Sequence, residues 1–182
     1  MTVTISSAAR EITIQGTELR FKGFQYSGDN LIDEVNSLNP TVVVDAGCGT
    51  NYFRGKINNL IGFDIDDYPN LDFRSSVSDM KIQLNSVDVV LALGIFQYSS
   101  REQTLRDLST VVSWVRSGGY IVMRLKKFVS ESESATSSYR WSQEWFEKVS
   151  EDLGLTVVKG IWIDQNPLIP GLERIVWWWQ KS

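Results

Sequence analysis

Two carboxylates and a pair of glycines are the residues best placed, by type and spacing, to do chemistry in this chain. In Val44-Asp45-Ala46-Gly47-Cys48-Gly49-Thr50-Asn51-Tyr52 the glycines let backbone approach a ligand closely where a strand gives way to a turn. A helix starting after that turn would offer its unpaired N–H groups to an anionic ligand group. A dinucleotide fingerprint needs a third glycine at position 52, which is Tyr52, so nicotinamide and flavin are disfavoured. Asp45 also suits an ammonium group better than a pyrophosphate. Nineteen residues on, Asp64 ends the run Gly62-Phe63-Asp64. A carboxylate at a second strand tip can accept both hydroxyls of a ribose; the plainer alternative is a turn cap. Ile65 beside it offers an apolar surface to a purine. A ligand with a ribose, a purine and an amino-acid end, but no phosphate, suits both carboxylates.

Composition narrows the rest. The chain has 182 residues, no histidine and one cysteine. That excludes Ser-His and Cys-His nucleophile pairs, imidazole zinc sites, internal disulfides and multi-thiolate metal sites. No metal is expected. Cys48, between the glycines, reads as a small buried thiol, since a reactive one needs a basic partner. Chemistry must run on carboxylates, hydroxyls, amides, backbone dipoles or a cofactor. The net charge of −4 argues against bulk phosphate-backbone binding. The start Met1–Ile5 lacks a basic segment followed by an apolar stretch, so a cytoplasmic protein without a membrane segment is expected.

These residues must be positioned by alternating strands and helices. Thr41–Asp45, Leu60–Asp64, Leu71–Phe73, Val87–Leu93 and Tyr120–Leu125 read as strands, and Leu155–Ile163 and Arg174–Trp179 as two closing ones. Leu105, Leu108, Val111, Val112 and Val115 are spaced for one helix face, with Ser117-Gly118-Gly119 as its stop. Another helix starts at Ser142 as N-cap and ends before Gly154. Ser27–Leu38 is helical in pattern. Residues 2–5, 11–14 and 19–22 alternate weakly, as short strands or irregular cover. The expectation is one domain: a cover segment over 1–39, then an α/β, doubly wound, mostly parallel sheet over 40–182 with helices on both faces. In the closing strand, Trp177 and Trp179 face one side and Trp178 the other, as core rather than a base-stacking platform.

The run Val43-Val44-Asp45-Ala46-Gly47-Cys48-Gly49-Thr50, followed by Ile61-Gly62-Phe63-Asp64-Ile65, closely resembles the class I S-adenosylmethionine-dependent methyltransferases. Ser86–Leu91 looks like that family's fourth-strand segment and Ser117–Val122 like its fifth-strand entry. Within the family the chain looks most like small methyltransferase-like proteins of tailed phages. The resemblance implies a seven-stranded sheet with an antiparallel closing strand and S-adenosylmethionine as cofactor. By it, Asp45, Gly47 and Gly49 hold the methionine end, Asp64 binds the ribose hydroxyls with Ile65 on the purine, and Cys48 and Asn51 belong to the cofactor-binding set. Ser76 and Val77 stand where the family places its adenine-side polar residue, with Asp79 as the competing candidate.

Leu93-Gly94-Ile95-Phe96-Gln97-Tyr98 follows the fourth strand at the mouth of the sheet. Leu93 and Phe96 line the cofactor there, Gln97 orients an acceptor, and Tyr98 or a carboxylate near the lid is the candidate base; packing explains the aromatics equally well. Tyr26 either folds over the cofactor or is plain cover. Residues 126–140 read as a substrate lid or a solvated loop, with Arg124, Lys126 and Lys127 at its root facing an acidic acceptor. The expected reaction is methyl transfer to an oxygen or nitrogen nucleophile of a small molecule. The segment 92–98 lacks the Asn/Asp-Pro-Pro-aromatic run of amino-methylating DNA enzymes, a Pro-Cys pair, and the aspartate of ribose-methylating RNA enzymes. A nucleic-acid methyltransferase and a non-catalytic cofactor-binding domain are the rival readings.

Overall fold

The computed structural model describes residues 3–5, 9–14, 17–22, 28–97, 99–126, 143–165 and 173–182. The first strands, β1 (Val3–Ile5), β2 (Ala9–Ile14) and β3 (Thr17–Lys22), form a small antiparallel sheet in the order β1-β2-β3. Helix α1 (Asn30–Ser37) then leads into β4 (Val43–Ala46), β5 (Leu60–Asp64), β6 (Phe73–Arg74) and β7 (Val87–Ala92). Helix α2 (Arg101–Trp114) runs directly into β8 (Val115–Lys126). Helix α3 (Gln143–Asp152), β9 (Leu155–Gln165) and β10 (Glu173–Lys181) close the chain.

Seven strands form one sheet in the order β6-β5-β4-β7-β8-β10-β9. The pairs from β6 to β8 are parallel, while β10 runs antiparallel to both of its neighbours. Every residue of β4 and β7 is buried, as continuous β-branched runs covered on both faces require. Alternation splits the core in two. Val44, Val90, Ile121 and Met123 pack with Leu108 and Val111 of α2 and Val149 of α3. Val43, Leu91 and Val122 pack on the opposite face with Leu31 and Val35 of α1 and with Phe53 and Ile57. Trp177 and Trp179 join the first core and Trp178 the second, as their alternation predicts. Among the described residues no helix is long and apolar enough to cross a membrane.

Three local expectations need correction. No helix follows the glycine turn: residues 49–59 form successive turns, with Asn51 and Asn59 in left-handed conformations that interrupt any helix. Val115 does not continue α2. It is extended, fully buried and paired with Val87, and residues 117–119 lie in the strand irregularity before Tyr120 pairs with Val89. A β-branched side chain beside a buried strand gains more from pairing than from one further helical residue. The third strand is shifted to Phe73–Arg74, because the Asp72 carboxylate turns back to accept the N–H of Gly62 at 2.8 Å. Tyr26, Tyr98, Lys127, Trp141, Ser142 and the 127–140 part of the expected lid lie outside the described residues.

Candidate functional site

The site forms where the chain order reverses. β4 is flanked by β5 on one side and β7 on the other, and the crevice beyond their carboxyl ends is where open α/β sheets bind ligands. At the tip of β4 the backbone turns sharply at Gly47, whose φ of +70° belongs to the left-handed region that favours glycine. Gly47 and Cys48 both donate their N–H to the Phe63 carbonyl, at 2.9 and 3.1 Å. Gly49 donates to Asp64 Oδ2 at 2.9 Å, and Asn51 to the Cys48 carbonyl at 3.0 Å. The amides of Gly47, Cys48 and Gly49 thus bind the tip of β4 to the tip of β5.

Charge at the turn is negative and buried. Asp45 is only 3% exposed. Burial pushes its carboxyl up to about 7; Arg124 pulls it down, and Asp64 adds a smaller upward push. Arg124 comes from β8, buried on the same face, and its Nη2 donates to the Leu93 carbonyl at 3.3 Å. A Cβ on Gly28, just before α1, would lie 3.5 Å from Arg124 Nη1, so the entry to α1 adjoins this guanidinium. Arg124 was expected at the root of a lid; here it sits inside the crevice. Burial and the nearby Asp45 and Asp64 charges push the Cys48 thiol up to about 12, so it stays protonated and unreactive.

Asp64 holds a second contact, Oδ1 accepting the Asp66 N–H at 3.0 Å, so it also makes the turn cap that was the plainer alternative to a ribose contact. Ile65 is 64% exposed, an apolar face open to a planar ligand. The two rivals for the adenine side form one unit: Ser76 Oγ donates to Asp79 Oδ2 at 2.6 Å and accepts the Asp79 N–H at 3.2 Å. The Val77 side chain packs partly buried against the first core, which leaves open the ring contact proposed for its backbone N–H.

Other candidates are placed elsewhere. The buried Asn51 side chain donates from Nδ2 to the Asn70 carbonyl at 2.8 Å. Its amide lies over Gly62, where a Cβ would come within 2.6 Å, and Oδ1 has no partner among the described residues. This is a brace between loops, reached because Gly62 leaves room for it. Phe96 is 2% exposed inside the first core, and its carbonyl accepts from Thr104 Oγ1 at 3.2 Å. It packs there and does not line the crevice. Leu93 is partly buried against the second core. The side chain of Gln97 lies outside the described residues. Ile95 was not singled out in sequence, yet a Cβ on Gly47 would overlap its Cγ2 methyl. No local pattern marks a contact across two strand tips.

No protein-family model matches the sequence, and no curated protein matches it. Solved structures do. The 1,6-didemethyltoxoflavin-N1-methyltransferase of Burkholderia thailandensis, crystallised with 1,6-didemethyltoxoflavin and S-adenosylhomocysteine, superposes with a TM-score of 0.70. The match covers 87% of this chain and 79% of that one at 15% identity. The fold is that of the class I methyltransferases. Magnesium protoporphyrin IX methyltransferase from Synechocystis, with bound S-adenosylmethionine, shares this class I fold at a TM-score of 0.61 and 13% identity, over 85% of this chain and 77% of that one. An S-adenosylmethionine-dependent methyltransferase from Clostridium acetobutylicum shares it at 0.64 and 12%, over 86% and 91%. Within the class I fold, the antiparallel β10 between β8 and β9 is the expected closing strand.

Proposed function

We propose that this chain transfers a methyl group from S-adenosylmethionine to an oxygen or nitrogen nucleophile of a small-molecule acceptor. The observation that carries this is the pair of carboxylates, Asp45 and Asp64, set around a turn whose Gly47, Cys48 and Gly49 amides are bound within the protein. A buried carboxyl beside the turn favours a cationic ligand group over a phosphate, and the Gly47, Cys48 and Gly49 amides are already bonded within the protein. The donor set therefore fits a ligand with an ammonium end and a ribose. Similar structures crystallised with that cofactor or its demethylated product support the reading.

Bound here, S-adenosylmethionine supplies a methyl on a sulfonium, already activated toward attack. Asp45 and the turn at Gly47 to Gly49 hold its amino-acid end, Asp64 accepts the ribose hydroxyls, and Ile65 covers the purine. The Ser76–Asp79 unit presents an acceptor to the exocyclic amine. The protein's remaining task is to align the acceptor and exclude water. Gln97 and Tyr98, which follow β7 in the sequence, are the residues proposed to orient the acceptor and take its proton. A small acceptor is favoured because two similar enzymes are named for small molecules, a didemethyltoxoflavin and a magnesium porphyrin.

Calorimetric titration with S-adenosylmethionine and S-adenosylhomocysteine tests the cofactor assignment. Binding lost in Asp64→Ala supports it, and no binding of either by the wild type sinks it. Transfer of labelled methyl into small-molecule pools, set against tRNA, DNA and protein pools, tests the acceptor class.

A further inference from the structure

The crevice is unevenly covered. Around Gly49 it is open, since a Cβ there would meet nothing within 4 Å. At Gly47 Ile95 stands close against the backbone: a Cβ on Gly47 would overlap Ile95 Cγ2, and Ile95 Cβ would be 3.2 Å away. Ile95 is partly buried and packs against the first core. Its neighbours set how it can move. Gly94, at φ +117° and with its N–H bound to the Ala92 carbonyl, gives a backbone pivot on one side. Phe96, buried and held through its carbonyl by Thr104, is a fixed anchor on the other.

We propose that Ile95 is a specificity-determining gate over the amino-acid end of the cofactor seat. This rests on the S-adenosylmethionine reading above. The nucleoside end enters the open side at Gly49 and Asp64 without displacing the gate. The amino-acid end has to reach Asp45 past Gly47, which requires the Ile95 γ2 methyl to swing away. The gate therefore separates complete cofactor from nucleosides that lack the amino-acid end. The contact is made by the β-branch, so side-chain shape decides its strength more than volume does.

The test compares wild type with Ile95→Val, Ile95→Leu and Ile95→Ala, using two probes, S-adenosylhomocysteine and 5′-methylthioadenosine. Dissociation constants come from calorimetry, association rates from stopped-flow tryptophan fluorescence, and folding is checked by thermal unfolding. Valine keeps the γ2 methyl and is expected to match wild type. Leucine keeps the volume but loses the branch, and with alanine is expected to bind S-adenosylhomocysteine faster and more tightly. A gate open about a tenth of the time predicts a gain of about tenfold. Affinity for 5′-methylthioadenosine is expected to stay the same throughout. Equal binding of S-adenosylhomocysteine by wild type and folded Leu and Ala variants overturns the gate while leaving the cofactor reading intact. Equal gains for both probes also overturn it. Failure of every variant to bind either probe overturns the cofactor reading itself.

Discussion

Asp64 Oδ2 accepts the backbone N–H of Gly49 at 2.9 Å, so a carboxylate at the tip of β5 closes the turn at the tip of β4. One group thereby shapes the turn and faces the proposed ribose. Asp64→Ala removes both roles and is expected to cost about 1–3 kcal/mol of stability, with affinity for S-adenosylhomocysteine falling by on the order of tenfold or more. Asp64→Asn keeps an acceptor for Gly49 and is expected to recover most of the stability but less of the affinity. Urea denaturation and calorimetry on the same samples separate the two effects.

Asp45 makes binding and stability depend on pH. Its carboxyl is raised from 3.8 to about 7 by burial, against the pull of Arg124. The folded chain thus holds a proton that the unfolded chain releases between those values. Folding stability from this group is present below about 4, falls as pH rises to about 7, and is level above. An ammonium group beside Asp45 favours its ionised form, so binding S-adenosylhomocysteine at pH 6 is expected to release a proton, and at pH 8 almost none. Titrations in two buffers of different ionisation enthalpy count that proton. In Asp45→Asn it is expected to vanish, and its persistence there would falsify the assignment.

Gly47 is required by the protein before any ligand is considered. Gly47→Ala combines a φ of +70° with overlap of Ile95 Cγ2 and is expected to lower stability by about 1–3 kcal/mol. Adding Ile95→Ala relieves the overlap but not the backbone strain, so the double variant is expected to unfold later than the sum of the two losses implies. Chemical denaturation of the four proteins in the cycle reads the coupling; strict additivity counts against the contact.

At the far end of β7, Asp88 serves structure alone. It accepts from Thr41 N and Oγ1, both at 2.7 Å, from Val42 N at 2.9 Å, and from Arg116 Nε at 2.6 Å. Burial opposes its charge, but these donors outweigh burial and hold the carboxyl well below the usual range. The stabilisation is complete above the ordinary carboxylate range and is lost as pH falls through the lowered value. Asp88→Asn is expected to destabilise by about 2–3 kcal/mol at pH 7. Binding of S-adenosylhomocysteine by the folded fraction is expected to stay unchanged, which calorimetry below the unfolding range checks.

With its thiol pushed up to about 12 and buried, Cys48 is expected to resist thiol–disulfide reagents at pH 8 and to react fully in denaturant. Because the chain has one cysteine, the labelling rate reports opening of the turn. Bound S-adenosylhomocysteine is expected to slow it, and rapid labelling of the native protein would refute the buried, protonated state.

The sequence by itself determined what depends on neighbours in the chain. Continuous β-branched runs ended by glycine marked β4 and β7, helical spacing marked α1 and α2, and alternation placed the three tryptophans on their faces. The turn at Asp45 and the carboxylate at Asp64 were legible because both sit at strand ends, where type and spacing set the geometry. Tertiary structure decided everything that depends on which strand tips become neighbours. Val115 left its helix because Val87 lay alongside, and the segment after Gly49 stayed in turns. Asn51 was drawn over Gly62 as a brace, Phe96 was taken into the core, and Ser76 and Asp79 became one hydrogen-bonded unit. Arg124 on β8 lies 31 residues from its partner Leu93, and Ile95, in the turn after β7, is still further along the chain from Gly47; the order of the sheet brought them together. Such contacts join residues distant along the chain, and local periodicity carries no record of them.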